Sequence, residues 1–406
     1  MSAILAVAIA LAGAAAYSAA QRWRRDGRGA TVVVLGDIGR SPRMQNHAVS
    51  LAKQGMRVTI VGARGSTAPR EVTELATMRY LPSISMRGPF LLTAACKVCV
   101  QVVSLAWMLA STPTSVMMVQ TPPAVPTLVV CRVMCLLHGT RMIVDWHNFA
   151  YSLLALKLGS KHPVVRVSRV YEAYFAHYAQ VYANLCVSKA MAEFMRREFH
   201  ISATVVYDRP HFTPMSAHDR QTYRQTRRIH AATKLVVSST SWTEDEDFKV
   251  LLDALVRYDA SRKPPRLHII ITGRGPQKEG YDREIAALRL TAVTIETAWL
   301  EADEYPKLLG AADLGVCLHT SSSGVDLPMK IVDMFGCGLP VAAFDYPALH
   351  ELVVDGCGVF FSTEKELCNH LLKLFNSNEL DVMRLAVEEH SRWRWEDEWN
   401  EKVGLR

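Results

Sequence analysis

Leu314-Gly-Val-Cys-Leu-His-Thr-Ser-Ser-Ser-Gly-Val-Asp-Leu-Pro-Met-Lys-Ile-Val-Asp-Met-Phe-Gly-Cys-Gly-Leu-Pro-Val341 reads as strand, hydroxyl-rich loop, short helix, glycine stop and returning strand. Leu314 to Leu318 is a short apolar run, and Thr320 to Asp326 carries hydroxyls, a glycine and an acid. Pro328 suits a first helical turn, where a missing N–H costs nothing, and Gly338 suits the left-handed residue past the end. A helix opening beneath such a loop presents free N–H groups and the positive end of a dipole, a ready cradle for phosphate or diphosphate. Lys330 and Asp333 stand three apart and share one face, a cation for phosphate and a carboxylate for sugar hydroxyls.

Working outward, the same rhythm recurs. Leu235-Val-Val-Ser238, Leu267-His-Ile-Ile-Ile-Thr272 and Val293-Thr-Ile295 are strands, with helices from Asp245 and from Glu304 to Ala312 between them. Nearer the N-terminus, Ala30 to Leu35 is a continuous apolar run followed by Gly36-Asp-Ile-Gly39-Arg40-Ser41-Pro42, helical spacing through Met44, Ala48, Leu51 and Ala52, and a second strand at Arg57 to Gly62. This is a βαβ opening. Strands at Ser115 to Val119, Met142 to Asp145 and Asn184 to Val187 continue it. The expected architecture is α/β, two Rossmann-like domains facing a cleft: 30–207, then a linker at 208–234 where hydrophobic periodicity disappears, then 235–385. A Trp-rich stretch at 386–406 reads as a helix returning onto the first domain.

A chain of 406 residues is too long for one ordinary core, and a half-hydrophobic composition marks it as folded. The net charge of +7 is scattered rather than gathered in a stripe, which fits an anionic membrane surface or phosphorylated substrates and excludes a nucleic-acid footprint. Nine cysteines, without a glycosylation sequon, read as reduced thiols; a zinc site from the Cys96/Cys99 or Cys131/Cys135 spacing is the competing reading. Ser2 to Ala20 is an apolar run followed at once by Gln21-Arg-Trp-Arg-Arg25, so residues 1–22 read as a transmembrane signal-anchor with the body on the cytoplasmic side. A cleaved signal peptide, with Ala14 and Ala16 near a cleavage site, is the alternative. Phe90 to Leu109 is apolar but interrupted by Lys97 and Gln101, which favours a helix of the first domain with a face toward lipid over a second span.

Gly36 to Gly39 lacks the third glycine of a dinucleotide fingerprint, and the next strand ends Val61-Gly-Ala-Arg64 with no acid for a ribose. A nicotinamide dehydrogenase is therefore disfavoured. The turn is left either as structural punctuation or as a diphosphate cradle beside Arg40 and Ser41. Asp145-Trp-His147-Asn148 ends a strand, where open sheets place functional residues. In Ser238-Ser-Thr-Ser-Trp-Thr-Glu-Asp-Glu-Asp247 the acids read as a capping box, with Thr243 at the N-cap and Glu246 three later, leaving Ser241 and Trp242 as cleft residues. Gly273-Arg274-Gly275-Pro276 is a bare-backbone turn with Arg274 placed for a phosphate.

Taken together, these segments resemble the chitobiosyldiphosphodolichol β-mannosyltransferases, membrane-anchored GT-B glycosyltransferases. The resemblance runs from about Val32 to Trp399. It is most specific in Leu35-Gly-Asp-Ile-Gly-Arg-Ser-Pro-Arg-Met44, Asp145-Trp-His-Asn148, Ser238 to Phe248 and Cys317 to Gly336. It implies a GT-B fold and inverting transfer of mannose from GDP-mannose to the chitobiose of a dolichyl diphosphate, forming a β1,4 bond on the cytosolic face of the endoplasmic reticulum membrane. No cofactor or metal is expected, since a helix dipole and cations serve the diphosphate. It assigns Asp333 to ribose hydroxyls and Lys330, Arg274, Ser321, Ser322 and Ser323 to the donor diphosphate, with Trp299 and Leu300 bordering the base. Gly36, Gly39, Arg40 and Ser41 fall to the acceptor. His147 ranks first as general base and Asp37 second. Retaining relatives of this fold carry a Glu-x7-Glu pattern, of which only the second acid has a counterpart here, Asp333. Other mannosyltransferases of the same lipid-linked pathway are candidate partners. Two further readings stay open: a GT-B transferase for another polyprenyl diphosphate and sugar nucleotide, or a silent membrane scaffold, against which Arg274, Lys330, Asp333 and His147 stand intact.

Overall fold

The computed structural model describes residues 26–82, 90–178 and 182–404, with Gly13 and Tyr17 inside the N-terminal run. The expected anchor at 1–22 otherwise lies outside the described residues, and among those described no helix is long and apolar enough to cross a membrane. The chain divides into two compact units, one ending at Val206 and taking up the chain again at Lys402, the other running Tyr207–Glu401.

In the first unit the strands are β1 (Asp26–Asp37), β2 (Arg57–Ala63), β3 (Ala76–Leu81), β4 (Thr114–Thr121), β5 (Arg141–Trp146), β6 (Ala183–Cys186) and β7 (Thr204–Val205). They pair in the order β3-β2-β1-β4-β5-β6-β7, parallel throughout. Val32, Val33 and Val34 are all buried, as a strand covered on both faces requires. Phe90–Ala110 is one helix, packed against β3 and against the Thr127–His138 helix. All nine cysteines are free thiols, and burial pushes the Cys135 thiol up to about 12.

The second unit repeats the plan with β8 (Lys234–Ser239), β9 (Leu267–Thr272), β10 (Val293–Ala298), β11 (Leu314–Cys317), β12 (Val341–Phe344) and β13 (Gly358–Phe361) in the parallel order β10-β9-β8-β11-β12-β13. Side chains alternate between two cores. Val236, Ile269 and Ile271 face the Phe248–Asp259 and Glu364–Phe375 helices, whereas Leu235, Val237 and Ile270 face the Tyr305–Ala311 and Met329–Gly336 helices. Each sheet reverses strand order once, between β1 and β4 and between β8 and β11. Such switch points open a crevice at the carboxyl ends of the strands, where ligands bind.

Part of the expected linker is helical. Ala217–Thr226 belongs to the second unit and buries no residue of its own. Charge anchors it: Arg220 and Arg224 reach Asp313 at 2.5 and 3.0 Å and also bond the Ala311 carbonyl. A helix held by guanidinium forks leaves no apolar stripe to read. At the C-terminus, Trp395–Lys402 is helical, and its buried Glu398 accepts from the Tyr207 N–H and from Arg209.

Candidate functional site

In the first unit, Asp145 lies near the end of β5 with its side chain fully buried. An isolated carboxylate would be costly there. The Arg43 guanidinium clasps it through Nε at 2.8 Å and Nη2 at 2.9 Å, and Arg43 Nη1 donates to the Val206 carbonyl. His47, four residues further along the same helix, approaches Oδ2 at 3.2 Å, and His147 Nε2 approaches it at 2.7 Å. Burial opposes ionisation of Asp145, but Arg43, His147 and His47 outweigh it and hold the carboxyl well below the usual range. Burial also depresses His47 below its usual range, leaving it neutral near pH 7. His147 is partly exposed, and its main-chain N–H donates to the Thr121 carbonyl. The ring is thus fixed by Nε2, with Nδ1 on its opposite edge. A histidine oriented by a buried carboxylate is the arrangement a general base needs. Trp146, between them, is fully buried against Phe149 and Phe199.

Asp37 sits differently. Its carboxylate accepts from the Gly39 N–H at 2.9 Å and the Ser66 N–H at 2.8 Å, with Arg40 3.7 Å away. Although partial burial pulls the other way, those bonds lower its pKa. Gly39 is required by crowding, since a Cβ would meet the Ser66 carbonyl oxygen at 2.3 Å. Ser41 donates to the Asp37 carbonyl, Arg40 donates to Ser66, and Gly36 is exposed with open space around it. Asp37 therefore shapes the turn that presents Gly36, Arg40 and Ser41.

In the second unit the β8/β11 switch point carries the other group. The Met329–Gly336 helix begins after Pro328, which takes the N-cap position rather than the first turn, and no side chain caps that end. Gly338 adopts the left-handed conformation beyond it, at φ 71°. Lys330 pairs with Glu246, a carboxylate only 2% exposed that also accepts from Thr240 Oγ1 at 2.5 Å and the Ser241 N–H at 2.9 Å. The capping-box expectation fails here. The helix starts at Phe248 with Asp247 as its N-cap, bonded to the Lys249 N–H, and Glu246 ties the strand-end loop to Lys330 instead. Trp242, expected at a cleft, is wholly buried against Phe248 with ring centroids 4.5 Å apart.

Gly273 and Gly275 press on that loop. A Cβ would fall 1.8 Å from the Thr240 carbonyl oxygen at Gly273 and 1.7 Å from that of Ser241 at Gly275. Between them Arg274 is exposed and lies over the Trp299 ring, 4.0 Å from its centroid. Leu300 is half-buried against the core.

The serine loop is organised from within. Ser321 and Ser323 both donate to Asp326, and Asp326 meets His319 Nε2 at 3.4 Å while Asp245 meets His319 Nδ1 at 3.1 Å. Burial works against a charged ring, but the bonds to Asp245 and Asp326 outweigh it and push His319 up to about 9. Ser322 belongs to the same loop. One turn beyond Lys330, burial together with the like charge of Asp208 pushes Asp333 up to about 7.

The structure therefore assembles Lys330 with Asp333 and the serine loop, and Arg274 with Trp299. It adds Glu246, Asp245, His319 and Asp326, to which the sequence pattern assigns no site role, and Arg43 and His47 behind Asp145. Arg43 and His47 were detectable as polar residues beside the apolar stripe of Met44, Ala48 and Leu51. Glu246 carried no such signal.

Residues 232–377 match the family model described as Glycosyl transferases group 1. A mouse protein named chitobiosyldiphosphodolichol beta-mannosyltransferase is 38% identical to this chain across 94% of it and 90% of the mouse protein. The chain belongs to the chitobiosyldiphosphodolichol β-mannosyltransferase family. It is a glycosyltransferase. An Arabidopsis thaliana relative named UDP-glycosyltransferase TURAN is 39% identical over 92% of this chain and 95% of its own length. The crystal structure of WaaG, a glycosyltransferase involved in lipopolysaccharide biosynthesis, superposes at a TM-score of 0.66 with 13% identity, covering 92% of this chain and all of WaaG. The fold is accordingly GT-B-like, two Rossmann-like α/β units with parallel sheets.

Proposed function

We propose that this chain transfers mannose from GDP-mannose to a chitobiosyl diphosphate carried on dolichol, forming a β1,4 bond with inversion. The observation that carries the reading is the uncapped start of the Met329–Gly336 helix, where Lys330 is held in place by buried Glu246. Glu246 occupies one donor of an ammonium that has three, so two stay available for a diphosphate. The helix dipole adds to that attraction, and Arg274 supplies a second cation from the glycine turn. Asp333, one turn on, accepts from ribose hydroxyls. Its raised pKa makes this best above about pH 7, where the carboxylate is ionised. In the first unit, His147 Nδ1 takes the proton of the acceptor hydroxyl while Asp145 stabilises the imidazolium that forms. Asp37, its oxygens occupied by two N–H groups, shapes the acceptor turn rather than acting as base.

In this reading the apolar run from Ser2 to Ala20 anchors the protein in the endoplasmic reticulum membrane, with both units on the cytosolic face, since Arg22, Arg24 and Arg25 follow the run. The name of the Arabidopsis relative favours a second reading, a UDP-sugar donor. One assay separates them: detergent-solubilised protein is given a chitobiosyl diphosphate lipid with labelled GDP-mannose or with a panel of UDP-sugars. Transfer from GDP-mannose alone supports the first reading. Transfer only from a UDP-sugar replaces it.

A further inference from the structure

Lys97 and Gln101 interrupt an otherwise apolar helix. In the structure they line a cavity of about 310 Å³ together with Leu35, Ala63, Arg64, Leu81, Pro82 and Ser104. Register places it. Asp37 pairs with Ala63 and Ala63 with Leu81, so Leu35, Ala63 and Leu81 mark the carboxyl ends of β1, β2 and β3, beside the Gly36–Arg40 turn. Lys97, Gln101 and Ser104 follow the i, i+4, i+7 spacing of one helix face and close the cavity from the Phe90–Ala110 helix.

Among the described residues the lining has two cations and no carboxylate. The nearby acid, Asp37, is occupied by the Gly39 and Ser66 N–H groups. Arg64 and Lys97 are both exposed, and the Arg64 guanidinium sits 5.6 Å from the centroid of the Tyr80 ring. Leu35, Ala63, Leu81 and Pro82 make the rest of the wall apolar. On the helix, Val100 and Trp107 stand beside the polar stripe, 37% and 55% exposed. Two cations over an apolar wall, with partly exposed Val100 beside them and Trp107 stacked on Tyr17, match a molecule that is anionic at its head and hydrocarbon beyond it. A nucleotide would leave that apolar wall without a counterpart.

We infer that Arg64 and Lys97, assisted by Gln101, form a diphosphate subsite for an isoprenoid-diphosphate lipid, the acceptor end of the reaction. The inference rests on the transferase reading for its role, but the subsite can be tested by binding alone. Geranylgeranyl diphosphate in mild detergent and GDP are titrated separately into wild-type protein and into Arg64→Gln, Lys97→Gln and the double variant. The substituted side chains are exposed, and matching thermal unfolding confirms the fold. Two charge-assisted contacts correspond to a loss of roughly tenfold or more in affinity. The expected result is that loss for the isoprenoid diphosphate in the double variant, with GDP affinity within about twofold of wild type. Unchanged lipid affinity, or a loss confined to GDP, overturns the subsite. A parallel transfer assay should show the acceptor KM rising in the double variant while the GDP-mannose KM holds. Wild-type protein that binds the isoprenoid diphosphate at Arg64 and Lys97 yet transfers no mannose would keep the subsite and remove the transferase reading instead.

Discussion

His147 Nε2 lies 2.7 Å from Asp145 Oδ2, and the same oxygen is held by Arg43 Nε at 2.8 Å. The imidazole is thus fixed on one edge by a carboxylate that is itself immobilised from behind. Removing the ring should cost far more than binding. His147→Ala is expected to lower kcat by roughly 10²- to 10⁴-fold, the usual range for a general base, with donor KM little changed. Steady-state kinetics at saturating acceptor read this directly, and a kcat within threefold of wild type would assign the base elsewhere.

Lys330 and Glu246 should prove coupled in stability as well as in donor binding. Lys330→Ala leaves a buried carboxylate unpaired and is expected to cost ~2–3 kcal/mol in urea unfolding, the scale of a hydrogen bond to a charged group. Because Glu246→Gln in the same chain neutralises the stranded charge, the double variant should recover part of that loss. Additive losses would show that the pair does not act as one.

Gly275 leaves no room for a side chain, as the Ser241 carbonyl oxygen lies 1.7 Å from where a Cβ would stand. Gly275→Ala must displace either the Gly273–Gly275 turn or the Thr240–Ser241 loop. The expected cost is about 2 kcal/mol or more, in the range of backbone strain and overpacking. Arg274 moves with the turn, so the donor KM should rise as well.

His319 makes stability depend on alkaline pH. Its folded pKa of about 9 exceeds the ordinary value of 6.5, so the folded state holds the extra proton between those limits. The stabilisation from the charged ring between Asp245 and Asp326 is complete below about pH 6.5 and is lost as pH rises through 9. Thermal unfolding of the wild type should fall across that window, and His319→Gln should flatten the fall. Equal slopes in both proteins would refute the assignment.

Asp333 works in the opposite sense for a carboxylate. Burial and Asp208 raise its pKa to about 7, so the folded state keeps a proton that the unfolded chain gives up near pH 4. Stability contributed by the neutral form is lost as pH climbs from 4 to 7. Asp333→Asn should be more stable than wild type at pH 8 while binding GDP more weakly, measured by unfolding and by calorimetric titration.

The βαβ rhythm was legible because parallel strands covered on both faces must be uniformly apolar. Ala30 to Leu35, Leu235 to Val237 and Leu267 to Ile271 announce β1, β8 and β9 without help from tertiary structure. Edge strands gave less: β3, Ala-Thr-Met-Arg-Tyr-Leu, pairs on one side only and keeps half its side chains near solvent. The Ala217–Thr226 helix was hidden for a related reason, being pinned by Arg220 and Arg224 instead of an apolar stripe.

By itself the sequence determined the two doubly wound units, the turns at Gly36–Arg40 and Gly273–Gly275, and the helix start beneath the serine loop. Those follow from local periodicity and from backbone needs that only certain residues meet. Tertiary structure alone decided which charges meet. Arg43 finds Asp145 from 102 positions away, and Lys330 finds Glu246 from 84. A buried charge is tolerable only with a partner, and the partner is chosen by which strand ends the fold places side by side, a relation no local pattern encodes.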